Sequence, residues 1–351
     1  MPTKIQNLTT QTGVTLIEIM VSMVISLIIL SGIVTVVMST HNSFKTETEG
    51  SFIQENARYA FDMMARDVRL AGNLGCADIL YTKISNVVEN TYDGMHSTQF
   101  IEGYEASPNA SDYPDAMSDA INSDAIIVRF ADPETIVTTK SYDSSTKSFS
   151  FLSGKTHKFS EGDQLVVVDS TCRNAGYFEN TSNTDSILAH TSGGSGNCGN
   201  TLYSDSMKNL NCDKTYPTGS VKSYSNGSEV MEYKVHAYYI AESSVLDGVP
   251  ALKRRRLSKS GHFTEELAQG VESMEIQYGI DSDDDGNVDH FDNADTVADW
   301  TKVIAARLEL VFRSQTEVFA EAQSVTIGAK TFPNDRYLRQ LAAATIKIRN
   351  R

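Results

Sequence analysis

The chain has 351 residues, room for one large domain or two smaller ones. Its formal charge of -15 argues against general nucleic-acid binding, which needs a basic surface to displace counterions. Charged residues make up only 21%, and Ser, Thr, Asn and Gly are abundant, which suits a secreted, loop-rich β protein better than a cytosolic enzyme.

A polar leader, Met1 to Gly13, opens the chain, with Lys4 as its only charged side chain. From Val14 to Met38 there is no Lys, Arg, Asp or Pro, and Glu18 is the only ionisable group. Such a run is long enough to cross a bilayer as a helix. An acid just inside it costs roughly a few kcal/mol in hydrocarbon, so Glu18 is a functional candidate with a partner to find. In a secretory signal the cleavage site follows the apolar core. Here the plausible site follows Gly13, before the core, so processing keeps the helix and frees the Val14 amine. Gly13-Val14-Thr15-Leu16-Ile17-Glu18 resembles the class III signal of type IV pilins and type II secretion pseudopilins, with Val14 where Phe is usual. The competing reading is an uncleaved signal anchor.

After Met38 the pattern becomes amphipathic. Ile53, Ala57, Phe61, Met64, Val68 and Ala71 fall on one helical face, with Arg58, Asp62 and Arg66 on the other. Gly72 and Gly75 stop the helix. The spacing predicts one continuous rod from Val14 to Ala71, on the order of 85 Å long, with Gly32 and Gly50 as flex points. The organisation expected is a leader at 1–13, a membrane or filament-core half-helix at 14–38, an amphipathic half-helix at 39–72, and a β-rich head at 73–351.

Four cysteines, Cys76, Cys172, Cys198 and Cys212, follow the apolar run, and with the leader held inside they face an oxidising compartment. They allow three pairings. The short Asn/Gly/Ser-rich loop between them favours Cys198 with Cys212, which leaves Cys76 to staple the end of the first helix to Cys172. A zinc site competes, but no C-x-x-C or H-x-x-x-H spacing supports it.

Strands are predicted at 79–84, 125–130, 148–152, 164–168, 230–240, 251–257, 271–280, 303–312 and 341–348, with an irregular, disulfide-held insertion at 171–217. Ala306, Leu308, Leu310 and Phe312 alternate with Arg307, Glu309 and Arg313, as in a half-buried antiparallel strand. A long helix followed only by strands reads as α+β, the helix laid on an antiparallel sheet.

The segment Asp281 to Asp292 follows the calcium-loop rule, with oxygen ligands at positions one, three, five, seven, nine and twelve and Gly at six. That assigns Ca2+ to Asp281, Asp283, Asp285, the Asn287 carbonyl, Asp289 and Asp292. Asp292 replaces the longer Glu of an EF-hand, and flanking strand pattern makes this a loop within a β connection. The alternative is a solvated acidic hairpin. The basic run Lys253-Arg254-Arg255-Arg256 suggests DNA contact, but with this net charge a solvated face, or one that balances a neighbour's acidic surface, is favoured. No nucleophile–base pair or metalloprotease spacing is present, so no enzyme is expected.

The helix end Ala65-Arg66-Asp67-Val68-Arg69-Leu70-Ala71-Gly72 with Cys76 soon after is similar to the PilW family of minor pilins. So are Tyr278-Gly279-Ile280-Asp281, the Arg307–Arg313 strand and the closing Ile346-Lys347-Ile348-Arg349-Asn350-Arg351. The resemblance implies a pilin-type fold and a low-abundance pilus subunit, processed and N-methylated by prepilin peptidase. It further implies an inner-membrane anchor with a periplasmic head, later at the pilus tip. Other minor pilins, the major pilin and the inner-membrane assembly platform are the implied partners. In that setting Glu18 pairs with the Val14 ammonium of a neighbouring subunit. Two alternatives remain: a type II secretion pseudopilin of the GspJ kind, and a membrane-anchored calcium-dependent adhesin or hydrolase.

Overall fold

A computed structural model describes residues 13–78, 82–88, 99–107, 109, 113–121, 123–192, 196–199, 201–202, 222, 224–258, 261–328 and 330–349. One helix, α1 (Leu16–Leu70), runs for 55 residues, about 82 Å at 1.5 Å per residue. Thr15 caps its N-terminus in a capping box with Glu18, and at its other end Gly72 turns the chain with φ +73. Its apolar half, through Met38, is exposed along its whole length. Contact with the head begins where the Glu49 carboxylate accepts the Gln315 amide at 2.9 Å and the Thr316 hydroxyl at 2.5 Å. From there Ile53, Ala60, Met64, Ala65 and Val68 are buried and Ala57 and Phe61 half-buried, so the predicted face is the packed one.

Among the described residues the head is built from eighteen strands. The first nine are β1 (Lys83–Asn86), β2 (Ile101–Tyr104), β3 (Ala125–Ala131), β4 (Val137–Thr138), β5 (Ser141–Asp143), β6 (Ser148–Ser150), β7 (Gln164–Val168), β8 (Asn174–Glu179) and β9 (Ile187–Ala189). The rest are β10 (Glu229–Glu242), β11 (Pro250–Arg256), β12 (Phe263–Gln269), β13 (Val271–Ile280), β14 (His290–Asp292), β15 (Val303–Arg313), β16 (Thr326–Ile327), β17 (Lys330–Thr331) and β18 (Arg339–Lys347). A large sheet follows the order β1-β8-β7-β10-β11-β12, with β3 and β4 also on β10 and β2 on β3. A second, antiparallel sheet is ordered β14-β13-β15-β18. The chain passes from one sheet to the other through Gly270, at φ +77; a Cβ there would stand 2.4 Å from the Arg313 carbonyl oxygen.

The helix lies between the sheets. One core joins Ile53, Met64 and Val68 to Ile126, Val128 and Tyr238 of the large sheet and to Leu308, Leu310, Phe312 and Ile346 of the small one. Hydrogen bonds fix the directions. Asn56 meets Gln269 ahead of β13, Glu49 meets Gln315 just after β15, and Arg349 beyond β18 donates to the Arg69 carbonyl. Thus β13 and β18 run with α1 and β15 runs against it. On β10, His236 sits beside Asp67 and Tyr238 reaches back to Met63, so this strand also runs against α1. Its N-terminal part, Glu229 to Val235, therefore projects about 20 Å past the helix end. It carries the lobe of β4 to β9, with its own core of Phe149, Phe178, Leu188 and Val230.

Cys76 and Cys172 form a disulfide, tying the turn after α1 to the turn before β8. Cys198 is also disulfide-bonded; Cys212 lies outside the described residues. Two corrections concern strands. The insertion at 171–217 is not wholly irregular, because β8 lies inside the large sheet between β1 and β7, and β9 pairs with β6. Ala175 to Glu179 are buried on both faces, so no alternation announces them. β12, which is not among the predicted strands, pairs with β11 although Phe-Thr-Glu-Glu-Leu-Ala-Gln has little β-branched character. The strand expected at 79–84 is seen from Lys83, with 79–81 outside the described residues.

Candidate functional site

The N-terminal end of α1 combines an extended peptide with a satisfied acid. Gly13, Val14 and Thr15 precede the helix and are exposed. Glu18 Oε2 accepts both the Thr15 amide and the Thr15 hydroxyl at 2.9 Å, and Thr15 Oγ1 accepts the Glu18 amide at 3.3 Å. One carboxylate oxygen thus orders the helix start. Along the apolar face, the hydroxyls of Ser22, Ser26, Ser31 and Thr35 donate to backbone carbonyls three or four residues back. Each polar group is thereby satisfied inside the helix, as hydrocarbon requires. The most apolar window of α1 has a mean hydropathy of 2.6, and none of it is covered by the head.

The acidic loop after β13 gathers part of its predicted ligand set. One oxygen from each of Asp281, Asp283 and Asp285 lies within 4.8 Å of the others. Asp281 is buried, and its two oxygens accept the Asp285 and Gly286 amides at 3.1 and 2.9 Å. Gly286 turns with φ +83 at the sixth position, where the loop rule requires glycine. Asp289 and Asp292 are not part of this group: Asp289 accepts the Ser282 amide at 2.7 Å, while Asp292 sits in β14 against His290 at 3.3 Å. Lys302 contacts Asp284 at 2.5 Å and Lys347 the Gly286 carbonyl at 2.7 Å, so two ammonium groups already offset part of the charge. The three clustered carboxylates are groups that could hold a hard cation, with Asn287 and Asp289 nearby in the loop.

The basic run lies in β11 and is internally paired. Lys253 and Arg255 reach Asp119 at 3.3 and 2.9 Å, Arg254 meets Glu265 at 2.5 Å, and Arg256 faces Glu232 at 3.8 Å. The run is thus paired with acids of its own chain.

A buried polar cluster at the helix–sheet contact was missed by sequence reasoning. Asp67, only 3% exposed, lies on the inner face of α1. Its Oδ2 accepts from Tyr238 at 2.5 Å, contacts His236 Nδ1 at 2.6 Å, and has Arg254 at 3.5 Å. Burial pushes this carboxyl up, but His236, Tyr238 and Arg254 outweigh it and hold the group below the ordinary value. The signal was available: Asp67 follows Met64 by three residues, on the apolar stripe.

The long helix bearing a class III start, set on an antiparallel β head and followed by a structural disulfide, defines a type IV pilin-like protein anchored in the membrane with its head outside the cytoplasm. Residues 8–34 match the family model of the prokaryotic N-terminal methylation motif, and residues 237–350 match that of the type IV pilus-assembly protein W, PilW. Over these two stretches the chain is similar to PilW-like type IV pilins, and the matches support a type IV pilus-related protein of a structural assembly family. No curated protein and no solved structure matched.

Proposed function

We propose that this minor pilin acts in the assembly and priming of a type IV pilus, through bundling of its apolar helix with those of other minor pilins and the major pilin. The observation that carries this is the uncovered apolar half of α1 with Glu18 at its start, directly after the Gly13–Val14 peptide. Prepilin peptidase cuts that peptide and methylates the new amine. The resulting ammonium of one subunit is then a buried cation, and Glu18 Oε1 of a neighbour is its counter-ion. A paired charge is tolerable in an apolar bundle and sets register, whereas either charge alone is costly. After assembly the head stands at the pilus tip, with the lobe of β4 to β9 turned away from the membrane.

The test is Glu18→Ala in cells. Processing at Gly13 should continue, while recovery of the chain with its partner pilins from the membrane should fall at least tenfold. Normal recovery and normal piliation in that strain would contradict the proposal.

A second proposal concerns the loop at Asp281, Asp283 and Asp285. These carboxylates, with the Asn287 carbonyl and Asp289, would hold Ca2+, which would stiffen the loop between β13 and β14. The clustered carboxylates and the turning Gly286 support it.

A further inference from the structure

Resting on the bundling proposed above, we infer that the outer edge of β18 is a strand-addition site. It takes an extended segment from the head of a neighbouring pilin, a different chain whose rod packs beside α1.

β18 closes one side of the small sheet and is paired on β15 alone. Its register runs from Arg313 with Arg339 to Ala305 with Lys347 without a shift. Two flanking bonds show which backbone groups β15 uses. The Ser314 amide donates to the Leu338 carbonyl at 2.9 Å, and the Ile348 amide to the Ile304 carbonyl at 2.8 Å. In an antiparallel ladder bonded pairs recur at every second residue. Gln340, Ala342, Ala344 and Ile346 therefore bond β15, while Leu341, Ala343, Thr345 and Lys347 aim their N–H and C=O groups away from it. Arg349 is the next residue of the outward set, and its amide donates to the Arg69 carbonyl of α1 at 3.1 Å. Among the described residues, no hydrogen bond meets the outward backbone groups from Leu341 to Lys347. These four residues are exposed. They leave an open edge about 20 Å long.

An open edge attracts other chains, and proteins blunt it with charge, proline, a bulge or a cover. Two other edges of the head are treated so. β13 is covered by β14 at Tyr278 to Ile280, and by Ser123 and Asp124 at Met274 and Ile276. β12 carries Glu265 and Glu266, faces β11 across a register shift at Leu252/Lys253, and gives its Gln269 amide to Asn56 of α1. β18 has none of these devices from Leu341 to Thr345. Its exposed side chains there are Leu, Ala and Thr, with no charge to repel a partner strand and room for small or β-branched residues opposite. Backbone pairing would supply the affinity, and this uncharged row the preference.

β18 runs with α1 and packs on the same core through Ala342 and Ile346. A subunit bundled on the apolar half of α1 therefore carries its head alongside this edge, at high effective concentration. The small sheet is antiparallel throughout, so the incoming strand runs against α1. A second β18 does not supply it: antiparallel pairing of two copies would point their rods in opposite directions, whereas both rods enter one membrane from the same side. β12 does run against α1, but it is closed by the bulge, the acids and Asn56. The occupant is thus a strand of another pilin.

Ala343→Pro is the test, because the Ala343 amide is not bonded to β15: proline there removes an outward donor and leaves the ladder whole. In cells making the full set of pilins, recovery of partner pilins with this variant from solubilised membranes should fall roughly fivefold or more, with its melting temperature within about 3 °C of wild type. Ala344→Pro removes a bond to β15 and should melt well below both. Should Ala343→Pro itself melt low, Thr345→Pro removes the next outward donor. Hydrogen exchange on wild type reads the edge directly. The amides of Leu341, Ala343 and Thr345 should exchange freely in the isolated chain and roughly tenfold or more slowly in the recovered complex. Normal recovery for a folded outward-proline variant, or exchange at those amides unchanged by the complex, would overturn the inference. So would finding that the partner lost is a second, differently tagged copy of this chain. Glu18→Ala separates the two proposals. Loss in Glu18→Ala with normal recovery in Ala343→Pro sinks the edge and leaves bundling; the reverse result sinks Glu18-dependent bundling and leaves the edge.

Discussion

Glu18 and Asp67 are both acids on one helix, and their surroundings give them different work. Glu18 stands at an exposed helix start with one oxygen engaged by Thr15. Asp67 is enclosed, and it holds α1 to β10 and β11 through His236, Tyr238 and Arg254. Removing one partner from such a cluster strands the others without solvent. Asp67→Ala should therefore destabilise the head by about 3–5 kcal/mol, measured by denaturant unfolding of the full chain in detergent. Asp67→Asn should cost less, because the amide oxygen still accepts one hydrogen bond. A loss below about 1 kcal/mol for Asp67→Ala would mean that the cluster adds little net stability.

Among the elements, the loop between β13 and β14 has the sharpest chemistry. The Asp281 amide donates to the Lys302 carbonyl at 3.0 Å, so the loop lies against the segment that carries Trp300, the single tryptophan. If the loop holds Ca2+, millimolar calcium should raise the melting temperature, by an amount set by the ratio of free ion to dissociation constant. Asp283→Asn should abolish the rise, and bound terbium should be sensitised by excitation of Trp300. A melting temperature that ignores calcium would contradict the ion site and leave Lys302 and Lys347 as counter-charges of the loop. The helix was the most legible element, because its stripe repeats over five turns. Strands with one wet face, such as β15, were nearly as plain. β8 and β12 were not: Ala175 to Glu179 are buried on both faces, and Phe263–Gln269, though it pairs with the adjacent β11, has little β-branched character.

At the scale of the whole molecule, β10 and the Cys76–Cys172 bridge join the two ends of the head. β10 passes from the helix-packed core into the lobe beyond it, and the bridge closes a separation of 96 residues between α1 and β8. A closed loop of that length removes much disorder from the unfolded chain, worth up to about 4–5 kcal/mol in the chain-entropy picture. Cys76→Ser with Cys172→Ser should lower the melting temperature of the head while leaving membrane insertion intact. Equal melting temperatures for the oxidised and double-serine chains would place the stability of this junction in packing alone.

The sequence by itself determined the membrane rod, the packed face of the helix and the α+β class, because these rest on local spacing and on contrast between apolar and polar residues. Only the tertiary structure decided that Asp67 is enclosed, that Ser123-Asp124 covers the edge of β13, and that the basic run is spent on Asp119, Glu232 and Glu265. Each of those depends on groups brought together from distant parts of the chain, and pairing at a distance leaves no period in the sequence to read.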